Sequence, residues 1–320
     1  MGGAVVNEQR RAQPTGEGAA KGVTPAGKIK RWEQFGLAAL GLGGWCAALL
    51  PLTVGYWAAD RLGDLHYQCA PGHRANLAAN LRRVLGAGAT PTQRRTTARD
   101  AFRHSARNFY DLLRVRRLST AALTRQVTLV GSWEATEAAL AAGTGVIFVF
   151  AHLGAFDSVL QLIPLRGYRA STIGVPAGNG LLDKAATALR GSRGFLVEEP
   201  TAGGLRRMLR ALRRGEVIAL AADRDFQGGG VPVSFCGATT TLPGGAVRLA
   251  LATGALLIVV ACRRQGHRHT LTIEAPLALG GGADAAGDLQ RGVADLALVL
   301  ERHIRASPEQ WAMFQRVWAD

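Results

Sequence analysis

The spacing of apolar and polar positions divides the chain near Gly131. Beyond it, short apolar runs alternate with segments of helical period, the pattern of an α/β domain whose mostly parallel sheet is flanked by helices. The runs Gly145–Ala151, Ala170–Gly174, Val217–Ala222 and Ala255–Ala261 predict strands, because a strand covered on both faces reads as continuous apolar sequence. Helices are predicted between them over about Ala155–Pro164, Leu182–Leu189, Thr201–Arg213 and Pro243–Thr253. The last opens on proline and is closed by Gly254. His269–Ile273 alternates like an edge strand, and Ala285–Arg305 reads as a long amphipathic helix.

Before Gly131 the pattern is helical and lipophilic. Residues 1–30 have no apolar period and predict a disordered tail. From Gln34 to Ala59 there is no charged residue, a stretch long enough to span a bilayer, although Pro51 and five glycines weaken one straight helix. A span, a helical hairpin in the membrane interface and a buried core helix all fit this composition. Lys28, Lys30 and Arg31 precede it and, for a span, would keep the N-terminus in the cytoplasm. Arg74 to Arg117 is basic with a helical period, carrying Leu77, Leu81, Val84, Leu85, Phe102, Phe109, Leu112 and Leu113 as apolar positions. Its arginines (Arg82, Arg83, Arg94, Arg95, Arg99, Arg103, Arg107) form either a solvated face or a phosphate-contacting one. Three regions follow: a tail over 1–30, a helical membrane-associating region over 31–130, and an α/β core over 131–320.

Composition narrows the class. Of 320 residues, 48% are hydrophobic and 19% charged, which excludes wholesale disorder and coiled coil. Lys and Arg number 38 against 23 acids, so the surface with its net +15 attracts anions such as lipid headgroups, phosphorylated substrates or nucleic acid. Nucleic acid is disfavoured because no recognition motif occurs and the 10 Phe and 4 Tyr fall mostly in apolar runs. Cys46, Cys69, Cys236 and Cys262 form no C-x-x-C and read as isolated thiols in a reducing compartment.

In open α/β sheets ligands collect outside the carboxyl ends of the strands. Two predicted strands end in titratable residues: one in His152-Leu-Gly-Ala-Phe-Asp157, the other in Asp223-Arg-Asp225. A histidine takes a proton from a hydroxyl near neutral pH, and a carboxylate beside it fixes the tautomer. The spacing alone is cheap: with 7 histidines and 23 acids, about half of one H-x4-acid match is expected by chance. His269 and Glu274 lie five apart in an alternating strand and point to opposite faces. His152 to Asp157 instead passes through Gly154 from a strand end into a helix start, where a turn can bring the side chains together. No G-x-S-x-G elbow, Walker A loop or dinucleotide fingerprint is present, and His267 with His269 lacks a third metal ligand.

Four segments carry a resemblance to a known family. Val146-Ile-Phe-Val-Phe-Ala-His152-Leu-Gly-Ala-Phe-Asp157, Ala222-Asp-Arg-Asp-Phe226, Val231-Pro-Val-Ser-Phe-Cys-Gly237 and Pro308-Glu-Gln-Trp-Ala-Met-Phe314 resemble, in order, the bacterial lipid A biosynthesis acyltransferase superfamily. This group includes late lauroyl and myristoyl acyltransferases and the phosphatidylinositol mannoside acyltransferases of actinobacteria. The closing Pro-Glu-Gln-Trp and the aspartate of H-x4-D are closest to the mannoside branch. The resemblance implies a glycerolipid-acyltransferase-like fold and transfer of a fatty acyl chain from acyl-CoA or acyl carrier protein to a hydroxyl of a membrane glycolipid. It implies no resident cofactor or metal. His152 matches the general base, Asp157 the acid of H-x4-D, and Asp223 the acid that orients the histidine, where the mannoside enzymes carry Glu. Arg224 and Arg248 are candidates to clamp substrate phosphates, and Gly154 to line the substrate site. An anionic membrane surface is the expected partner, at the cytoplasmic face of the inner membrane. A lysophospholipid or a lipid A precursor is the alternative acceptor, and a catalytically silent lipid-binding homologue is a third reading. Trp311 and Phe314 are expected to pack on the core.

Overall fold

The computed structural model describes residues 49–174, 180–226, 228–282 and 284–319, so the expected tail and the first part of the apolar stretch lie outside the described residues. Three helices come first: α1 (Leu52–Cys69), α2 (Pro71–Leu85) and α3 (Pro91–Val115). Proline opens α2 and α3 at a position where its missing N–H is no loss, and Thr90 with Gln93 forms a capping box on α3. On α1, Gly55, Tyr56, Ala59 and Gly63 face inward. Gly63 lies so close to α3 that a Cβ there would sit 2.6 Å from the Arg103 Cα.

Acids on α1 clasp arginines on α3. Arg107 donates twice to Asp60, both at 2.6 Å, while Arg99 and Arg103 share Asp64 at 2.7–3.0 Å. Hydrogen bonds from Arg99 and Arg103 hold the Asp64 carboxyl well below the usual carboxylate range. These three arginines therefore neither form a simply solvated face nor wait for phosphates. No helix of the described residues is long and apolar enough to cross a membrane, and the described end of the apolar stretch belongs to α1.

The rest of the chain follows as α4 (Thr120–Gln126), β1 (Val127–Val130), α5 (Glu134–Ala141), β2 (Val146–Phe150), α6 (Phe156–Val159), α7 (Leu162–Leu165), β3 (Ala170–Ile173) and α8 (Gly180–Arg190). Then come β4 (Phe195–Glu198), α9 (Ala202–Arg213), β5 (Val217–Ala221), β6 (Val231–Phe235), β7 (Ala238–Leu242), α10 (Gly245–Thr253), β8 (Leu256–Gln265), β9 (Arg268–Pro276) and α11 (Ala285–Ala306). Seven strands form one sheet in the order β1-β9-β8-β2-β5-β3-β4, parallel except for the β8–β9 pair. The predicted α/β sheet flanked by helices is the observed architecture.

Alternate residues of β2 enter different cores. Ile147 and Val149 pack with α9, α10, α11 and the β6–β7 hairpin; Val146, Phe148 and Phe150 pack with the end of α3 and with α4, α6 and α7. The run around His269 is not an edge: β9 lies between β8 and β1, and its Thr270 and Thr272 are buried. Four residues of β1, which follow a helix without a turn signal, cover that side. The expected single helix over Ala155–Pro164 is two short ones.

Candidate active site

Strand register assembles the centre. Phe150 pairs with Ala221, and the Ala222 N–H continues the ladder to the Phe150 carbonyl. Two residues past that pair stand His152 and Asp223, opposite each other at the carboxyl edge of the sheet. The His152 Nδ1 lies 2.8 Å from Asp223 Oδ1, and the His152 main-chain N–H donates to Oδ2 at 2.8 Å. Asp223 has no exposed surface and accepts a third hydrogen bond at Oδ2, from the Trp311 indole at 2.8 Å. Because the carboxylate can only accept, Nδ1 carries the proton and Nε2 keeps its lone pair.

Burial opposes a charge on either partner. For His152 the Asp223 charge and hydrogen bond outweigh that penalty and raise the imidazole above its ordinary value. For Asp223 the histidine and its other donors outweigh it and hold the carboxyl below its ordinary value. The His152 side chain retains 27% exposure and lines a cavity of about 740 Å³. The Phe156 and Phe226 rings stand edge-on to the imidazole, at 5.3 and 6.5 Å between centroids.

Asp157 does not bond His152. It sits in the first turn of α6 and accepts two hydrogen bonds from Arg190, at 2.7 and 3.0 Å, acting on the imidazole only as a nearby charge. Gly154 is occupied by the fold. Its φ is +58°, its N–H donates to the Gln310 carbonyl, and a Cβ there would lie 2.0 Å from the Cys262 carbonyl oxygen. Its amide is thus not free for a substrate. The other H-x4-acid pair is separated as expected: His269 turns to Asp111, and Glu274 bonds His303 and Arg302.

A model of the bacterial lipid A biosynthesis acyltransferase family matches residues 29–320. The chain belongs to that family. It is 29% identical over 259 residues, 79% of either chain, to a phosphatidylinositol mannoside acyltransferase of Mycobacterium tuberculosis. A protein of the same name from Mycolicibacterium smegmatis is 29% identical over 184 residues, 56% of this chain and 59% of that one. Among solved structures, a 1-acyl-sn-glycerophosphate acyltransferase of Thermotoga maritima aligns with 78% of this chain and 98% of its own, at a TM-score of 0.37 and 14% identity.

For this lipid A family acyltransferase the cavity brings together two kinds of surface. Ile173, Phe195, Leu205, Leu209, Leu220 and Leu249 supply an apolar part, whereas His152, Asp157, Arg190, Asp225 and Arg248 supply the polar one. Arg248 is exposed on the first turn of α10. Arg224 does not line the cavity; its guanidinium lies 4.1 Å from the centroid of Phe226, which does. Reasoning from sequence missed Arg190, which is 33 positions from its partner and carries no local signal. It also missed the bond of Trp311 to Asp223, although the Pro-Glu-Gln-Trp segment pointed to that residue.

Proposed function

We propose that this acyltransferase moves a fatty acyl chain from a thioester, acyl-CoA or acyl carrier protein, to a hydroxyl of a membrane glycolipid of the phosphatidylinositol mannoside type. The observation that carries this reading is His152, held by the buried Asp223, on the wall of a cavity that is apolar in one part and polar in another. Nε2 of His152 takes the proton of the acceptor hydroxyl as its oxygen attacks the thioester carbonyl. The tetrahedral oxyanion collapses, the C–S bond breaks, and the imidazolium returns its proton to the leaving sulfur. Asp223 stabilises the imidazolium between these steps. No acyl-enzyme forms and no resident cofactor is needed. The apolar part of the cavity suits the acyl chain, Arg248 on its wall suits a phosphate of donor or acceptor, and Arg224, outside the cavity behind Phe226, could meet one only beyond its lining. Asp157 acts through the Arg190 pair, which keeps that guanidinium at the polar wall.

A membrane surface is the partner this reading needs, at the cytoplasmic face of the inner membrane. Leu50 just before α1 and Val54, Trp57, Leu62 and Leu65 on its outward side are exposed, and the chain carries a net +15. An apolar helix face on a cationic protein suits an anionic interface. The test is release of free thiol from palmitoyl-CoA by wild type and His152→Ala, with and without a phosphatidylinositol mannoside acceptor. Acceptor-stimulated release should fall about 100- to 10,000-fold in the variant. Release that survives the substitution removes His152 as the base, and wild type that ignores every glycolipid acceptor removes the acceptor class.

A further inference from the structure

The third donor to Asp223 belongs to a distant part of the chain. Trp311 Nε1–H reaches Oδ2 at 2.8 Å, and neither side chain has exposed surface. An indole N–H can only donate, and a hydrogen bond to a charged carboxylate away from water is stronger than a neutral one. The backbone around Trp311 is also tied to the histidine loop. Gly154 N–H donates to the Gln310 carbonyl and Ala312 N–H to the His152 carbonyl, both at 3.0 Å, forming an antiparallel bridge between Leu153 and Trp311. The Gln310 side chain fastens this segment to β8, accepting from the Arg264 N–H at 2.7 Å and donating to the Arg264 carbonyl at 2.9 Å.

We infer that Trp311 is a positioning residue for the dyad: its indole N–H fixes the plane of the Asp223 carboxylate, keeping Oδ1 on Nδ1 and Nε2 turned to the acceptor. The inference rests on His152 being the general base. An aspartate carboxylate rotates in a broad well about its last torsion. Two donors on Oδ2, one from the main chain and one from the indole, restrict that rotation. Without the indole, the carboxylate loses a donor, concentrates its charge and grips the imidazolium more tightly. The rate then falls and its acid limb moves to higher pH. A residue that only filled space would lower stability without moving that limb.

The experiment compares Trp311→Phe, Asp223→Asn and the double variant in acceptor-stimulated thiol release from palmitoyl-CoA. Trp311→Phe should lower kcat roughly 10- to 100-fold, the range for a lost bond to a charged group, with KM little changed and the acid limb shifted upward. In the Asp223→Asn background the same substitution should change kcat by no more than about twofold. Equal losses in both backgrounds, or a fall in Tm with kcat and pH profile intact, overturn the inference. Should Trp311→Phe fail to fold, the 15N-labelled indole resonance of Trp311 in wild type decides. It should shift with pH at the midpoint of the rate profile and lose that shift in His152→Ala; a resonance unmoved across the range overturns the inference. Failure of the underlying reading looks different, because His152→Ala would then remain active.

Discussion

Replacing Gly154 with alanine tests whether the turn after β2 is a structural device or a substrate-facing surface. The φ of +58° would place an L-residue in the left-handed region, which costs roughly 1–2 kcal/mol. The added Cβ would stand 2.0 Å from the Cys262 carbonyl oxygen, 2.8 Å from its carbon and 3.0 Å from the Arg263 Cα. These are backbone atoms of a central strand, so the loop must move away by 1 Å or more, and overpacking of this kind adds about 1–3 kcal/mol. The total of about 2–5 kcal/mol should lower Tm by about 4–20 °C at roughly 2–4 °C per kcal/mol. Because His152 is two residues away, a 1 Å displacement should also lower kcat about 100-fold. The assay pairs thermal unfolding with thiol release from palmitoyl-CoA. Unchanged Tm with lost activity would refute the reasoning and return Gly154 to the substrate surface; unchanged Tm with full activity would refute the packing argument itself.

Four further outcomes are expected. Since Asp223 raises the His152 imidazole above its ordinary value, the acid limb of wild-type kcat/KM should lie above pH 6.5 and move downward in Asp223→Asn, whose kcat should fall about 100- to 10,000-fold. By linkage, the raised value also gives the dyad a contribution to stability that is fully present below pH 6.5 and fades as pH rises through the folded value, so unfolding measured across this range should show less loss in the variant. Arg264, 1% exposed and bonded to Asp111 at 2.6 Å, anchors β8 to α3: Arg264→Met should destabilise by about 3–5 kcal/mol in denaturant titrations, and Asp111→Leu added to it should recover much of the loss. Trp57→Glu on the outward face of α1 should weaken sedimentation with anionic vesicles while leaving Tm within about 1 °C, as an exposed substitution does.

The parts of this architecture legible in sequence are those that depend on one segment at a time. The runs that became β2 and β5 are apolar throughout, and parallel pairing brings their ends together, so His152 and Asp223 stand out at once. The aspartate in place of glutamate proves long enough, because the main-chain approach of His152 puts both nitrogens within 2.8 Å of the carboxylate. Partner choice across the fold was not legible. Asp157 goes to Arg190 rather than to the nearby histidine because α8 ends beside α6, a matter of helix placement. Arg99, Arg103 and Arg107 of α3 are claimed by Asp60 and Asp64 because Gly55 and Gly63 let α1 approach closely. His269 looked peripheral because nothing around Val127–Val130 announces a strand.

The Asp223 bonds join stretches 71 and 88 residues apart along the chain. Contacts with such large sequence separations form slowly, since the intervening chain must be ordered before they repay the entropy of closing the loop. A nascent chain folded only through Asp223 holds His152 and its carboxylate partner but not the segment that buttresses them. The completed carboxylate geometry therefore needs the last folded segment, and the arrangement around His152 is whole only once the chain through Trp311 is in place.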